Sequence, residues 1–159
     1  MKPIRHAATL VLAAALAAGC GDNDNTGPTL SDLAGNWSAT KAQFTLDANP
    51  AISLDVVQVG GTVTLVVTND GKFTFTGALP GAPGPIVVTG TWEIDGNKVT
   101  VTSDEDPDNP VTGTFSLSND KNTLSVTIEH TTIVDLTQDG QVTDTDAAEL
   151  DARFDRVGT

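Results

Sequence analysis

The sequence predicts an all-β domain, an antiparallel up-and-down β-barrel of about eight to ten strands. Three observations predict it. From Leu30 onward threonine and valine dominate, a composition that favours strands. Within that region apolar and hydroxyl-bearing residues alternate with a period of two. Clusters such as Asn69-Asp70-Gly71 and Asp95-Gly96-Asn97 interrupt the alternation at hairpin spacing, and such residues supply the positive φ that tight hairpins need.

Each element follows from this pattern. Val63, Leu65 and Val67 share one face, with Thr62, Thr64 and Thr68 on the other. After the turn come Phe73 and Phe75, opposite Lys72, Thr74 and Thr76. The next hairpin sets Trp92 and Ile94, then Val99 and Val101, against Thr91, Glu93, Thr100 and Thr102. A third sets Phe115 and Leu117, then Leu124, Val126 and Ile128, around "NDKN". The stretches "GTWEIDGNKVTV" and "GTFSLSNDKNTLSV" look like copies of one hairpin; duplication and convergent turn chemistry both account for them. With the flanks, strands are expected near 36–46, 52–59, 62–68, 72–77, 86–94, 98–103, 111–118, 123–130 and 147–156. An open sheet this long leaves two edges exposed, and closure removes them. A β-sandwich is the competing solution, but regular sequential hairpins favour the barrel.

The N-terminal residues give an address. Lys2 and Arg5 precede the apolar run Ala7 to Ala18, and Gly19-Cys20 follow. The run is shorter than the ~20 apolar residues that span a bilayer, so it reads as the core of a signal peptide. The end, "LAAGC", resembles a bacterial lipobox, although Leu16 sits one place earlier than usual. The resemblance implies cleavage after residue 19 and acylation of Cys20, the only cysteine in the chain. Gly21, rather than Asp, follows it, which by analogy with enteric sorting favours the outer membrane. Residues 20–29 then form a polar, flexible tether, and 30–159 form the barrel domain.

"LAGNW", residues 33–37, opens the first strand as Gly-x-Trp. With the lipobox, the tether and the later "GTW", it resembles bacterial lipoproteins with a lipocalin-like domain, over residues 30–157. The resemblance implies a barrel that binds a small apolar ligand, and an arginine near the last strand packed over the first tryptophan. Arg156 and Arg153 are the candidates. Arg156 has the parity of Leu150, Ala152 and Phe154 and is preferred for the closure with Trp37. Trp37 and Phe44 have opposite parity, so a bulge is expected between them.

Charge excludes some functions. Cleavage removes Lys2 and Arg5, leaving six basic against 21 acidic residues, a net charge of −15. Such a chain repels nucleic acid and anionic head groups. Catalysis is not expected either. His130 is the only histidine after residue 19, and no nucleophile elbow, phosphate loop or zinc spacing is present. Asp104, Glu105, Asp106 and Asp108 fall in a proline-flanked loop and read as solvated.

Residues 135–146, "DLTQDGQVTDTD", resemble an EF-hand or dockerin calcium loop. The resemblance implies one calcium ion, with side chains from Asp135, Thr137, Asp139, Thr143 and Asp146 and the carbonyl of Gln141; Gly140 makes the sharp turn. Thr137 departs from the usual Asp or Asn, and Asp146 from the usual Glu. A calcium loop of that kind leads into a helix, and Ala147, Leu150, Phe154 and Val157 form a helical stripe. Ala148, Leu150, Ala152 and Phe154 alternate equally well, and the barrel needs a closing strand there, so a strand is expected. The functional expectation is a membrane-tethered, non-enzymatic lipoprotein whose barrel binds a small apolar ligand. The alternative is a filled barrel acting as a structural or protein-interaction module. The bulky inward set favours the alternative, because eight-stranded barrels are just wide enough for side chains to fill.

Overall fold

The computed structural model describes residues 27–136, 140–143 and 146–158. The signal segment, Cys20, Thr137 and Asp139 lie outside them. Among the described residues a single turn of helix, α1 (Leu30–Leu33), precedes nine strands: β1 (Gly35–Leu46), β2 (Ser53–Asp55), β3 (Thr62–Val67), β4 (Lys72–Ala78), β5 (Ile86–Asp95), β6 (Lys98–Ser103), β7 (Val111–Leu117), β8 (Thr123–Thr131) and β9 (Ala148–Arg156). All pairings are antiparallel, and β1 also pairs with β9, which closes an eight-strand barrel plus one extra strand, β2. Of the strand expected over 147–156, residues 148–156 form the closing strand and not a helix.

β2 and β3 lie end to end along one edge of β1. β3 pairs with residues 35–38 of β1, and β2 with residues 43–45. The strand expected over 52–59 is cut to three residues because 56–60 form a run of turns, with Val56 buried in the core. Asp55 holds that run: its Oδ1 accepts the amides of Val57 at 3.0 Å, Gln58 at 3.3 Å and, on β1, Ala42 at 3.3 Å.

The parity conflict in β1 is resolved by a register shift between Ala39 and Lys41. Before it Trp37 points inward; after it Ala42, Phe44 and Leu46 do. In β9 the buried set is Ala148, Leu150, Ala152 and Phe154. The interior is a single apolar core, with Ile94, Val101 and Leu117 packed at its margins.

The two copies of the "G-T-aromatic" motif have a common cause. A Cβ on Gly90 would lie 2.0 Å from the carbonyl oxygen of Thr102, and one on Gly113 would lie 2.0 Å from that of Thr127. Both glycines allow backbones to approach where the wall coils tightly, and Phe73 and Ile128 lean over the bare Cα positions. Gly113→Ala is expected to lower stability by about 2 kcal/mol through overpacking. A denaturant titration checks this; an unchanged midpoint would mean that the wall has slack at this point.

The barrel has two unlike ends. The turn end carries the hairpin turns after β3, β5 and β7, together with α1 and both termini of the described chain. The loop end carries the longer segments 47–61, 79–85 and 104–110 and the described residues of the connection between β8 and β9. Among the described residues those segments hold eight acidic residues and no lysine or arginine, whereas Lys72, Lys98 and Lys121 each flank one turn at the opposite end.

Candidate functional site

At the turn end, sequence-distant groups converge on Trp37. Its indole N–H donates to the Leu33 carbonyl at 2.8 Å. The Arg156 guanidinium lies over the ring, Cζ 4.1 Å from the centroid. That guanidinium also donates to the carbonyls of Ala34 at 2.7 Å, Asp32 at 2.7 Å and Lys121 at 2.8 Å. Gly35, at φ +145°, leaves room for it, since a Cβ there would sit 2.5 Å from Arg156 Nη1. Arg153 points outward on β9 and takes no part. The Asp32 carboxylate bonds Lys121 at 2.6 Å and the amide and hydroxyl of Thr29 at 3.0 and 2.9 Å. The Lys121 ammonium first, then Thr29, hold this carboxyl far below the usual carboxylate range. The helical turn and the β7–β8 turn are thus bolted to the β1–β9 seam, and this end of the barrel is shut.

The loop end differs. An apolar cavity of about 80 Å³ runs inside the wall from Phe73 and Trp92 to Ile133, with Phe75, Ile128 and Phe154 on its sides. Val88, Val101 and Val111, all part-exposed, form its rim between β5, β6 and β7. Ile133 also borders a second void of about 10 Å³, lined by Phe44, Val63 and Phe75, so its side chain stands between the two. Such a cavity holds roughly the volume of two or three waters at ~30 Å³ each, and less than the ~150 Å³ void that admits benzene.

The segment after β8 covers this end. Val134 and Leu136 are buried in the core, which puts part of the proposed calcium loop to work as a lid. Asp146, 1% exposed, is the buried charged residue among those described. Its Oδ1 accepts the Leu136 amide and its Oδ2 the Thr143 amide, both at 3.0 Å. Asp135 Oδ2 accepts the Gly140 amide at 2.9 Å, across the first and sixth loop positions, and Gly140 has φ +89°. That sharp turn is what a calcium loop requires of position six, and Asp135 fits position one. Each oxygen of Asp146 thus accepts a backbone amide that pins the loop. Gln141 and Thr143 lie exposed beside it. Among the described residues no three His, Cys, Asp or Glu side chains gather around one point.

His130, at φ +56° in the irregular end of β8, is exposed, with Nδ1 2.6 Å from Asp47 Oδ2; the contact links the start of the lid to the β1–β2 connection. The roles of Ile133, Val134 and Leu136 were not legible from strand periodicity. The signal available was "TIVDL", an apolar run too short and too acidic at its end to be another strand. No protein-family model matches the chain, and no curated protein matches its sequence.

Proposed function

We propose that this protein is a lipid-anchored, extracytoplasmic barrel module that takes a small apolar group at its loop end. The observation that carries the reading is the apolar cavity between Trp92 and Ile133, rimmed by part-exposed valines. Enclosed drug-sized ligands occupy about 300 Å³ or more. The ligand is therefore held by one small alkyl end or similar group, while the remainder stays outside the rim. No catalytic step is proposed.

A series of straight-chain alcohols tests this. A ligand bound by the native state alone raises the melting temperature. The stabilisation is expected to grow with the first few carbons and then to stop, because the cavity is filled. Growth without limit would indicate surface adsorption. No stabilisation at any length would favour the filled-barrel interaction module.

A calcium ion on residues 135–146 is a second reading, favoured by the Asp135–Gly140 bond. It expects millimolar calcium to raise the melting temperature, and the double change Asp135→Ala with Asp139→Ala to abolish the rise. An unchanged value would leave the segment as a lid held by amide bonds alone.

A further inference from the structure

We propose that the turn end of the barrel faces the bilayer and the loop end, with its cavity, faces solution. The inference rests on the reading of Cys20 as the acylated residue. Three observations carry it.

The first is where the chain enters. Gly27 packs against Gly96 in the β5–β6 turn, 3.5 Å from its Cα to an added Cβ, so the tether leaves from the turn end. The second is length. Seven residues from Cys20 to Gly27 reach at most about 25 Å when fully extended. β5 alone spans ten residues, about 30 Å of wall at ~3.3 Å per residue. Tilted by ~40°, it still occupies nearly 25 Å along the axis, and the loops project beyond it. A tether attached at the turn end cannot bring the loop end to the membrane surface. The third is charge. Among the described residues the loop segments carry seven acidic residues that are not buried, Asp47, Asp55, Asp104, Glu105, Asp106, Asp108 and Asp135, without a lysine or arginine, whereas each turn has a lysine close to its aspartate in sequence: Lys72 after Asp70, Lys98 after Asp95, Lys121 after Asp120. An anionic leaflet repels the first surface and tolerates the second.

This orientation has a chemical consequence. Whatever enters between Val88, Val101 and Val111 arrives through water and past carboxylates, not by lateral transfer from the lipid tails. It must be a small amphiphile with appreciable aqueous solubility and without an anionic head group.

The test uses two preparations in nanodiscs containing a headgroup-labelled paramagnetic lipid. One is the protein purified from membranes. The other is the chain from Cys20 coupled through its single thiol to a maleimide lipid. Amide relaxation is compared with that of soluble Cys20→Ser protein. The expected result is enhancement several-fold larger at Gly71, Gly96 and Lys121 than at Ala82 and Asp108, in both preparations. Equal enhancement at both ends, or a larger one at Ala82 and Asp108, would overturn the orientation even with the anchor in place. Mass spectrometry of the first preparation separates the two ideas. A native protein without an acyl group would overturn the anchoring itself, whatever the coupled chain shows.

Discussion

Arg156→Ala lowers the melting temperature by about 10 °C. The Arg156 guanidinium ties several segments together. It donates to three carbonyls from three separate segments, Asp32, Ala34 and Lys121, and lies over the Trp37 ring. Hydrogen bonds from a charged donor contribute about 1.5–3 kcal/mol each, but the group is part-exposed and water replaces some of them, so a net loss near 3 kcal/mol is expected. For a domain of this size that is about 10 °C. Arg156→Lys keeps the charge but only one donor centre, and recovers less than half of the loss. Trp37 emission should shift in both variants, because the ring loses its cover. A midpoint within experimental error of wild type would mean that the seam between β1 and β9 is held without this residue.

The second large effect lies at the other end. Asp146→Asn replaces an oxygen by an amide nitrogen, so either the Leu136 or the Thr143 N–H is left facing a donor. Breaking a charge-assisted bond in a buried setting costs about 2–4 kcal/mol once the unsatisfied donor is counted. The cost is local. Hydrogen exchange should accelerate at Leu136 and Thr143 and at the lid residues Ile133 and Val134, while amides of the β1–β9 seam change less. Uniform acceleration across the barrel would show that the lid and the wall unfold as one unit.

The differences between sequence and structure have physical causes. Hairpins with two-sided alternation are encoded locally, by Val63-Thr64-Leu65 before Asn69-Asp70-Gly71 and by Trp92 to Val101 around Asp95-Gly96-Asn97. Their registers follow from turn chemistry. The bulge in β1 could be demanded from parity alone, because Trp37 and Phe44 cannot both point inward along a regular strand. The break at 56–61 could not. It depends on Asp55 reaching an amide of β1, a contact between residues 13 apart. The lid was hidden for a similar reason. Val134 and Leu136 are buried by the barrel beneath them, and nothing in their neighbours announces it. Asp146, read from the sequence as a cation ligand, also satisfies backbone donors that closure of the lid would otherwise leave unpaired. The short helix α1 depends on Arg156 and Lys121, more than 80 residues away in sequence.

The space beneath Ile133 is an open apolar cavity that admits a guest, not a volume filled by the barrel's own side chains. Xenon binding followed by methyl NMR checks this, since xenon enters dry apolar cavities. The predicted result is one saturable set of shifts at the methyls of Val101, Ile128, Ile133 and Leu150, with Val66 and Val87 on the outer face unmoved. Small linear shifts spread over inner and outer methyls alike would contradict it and leave a barrel filled by its own side chains.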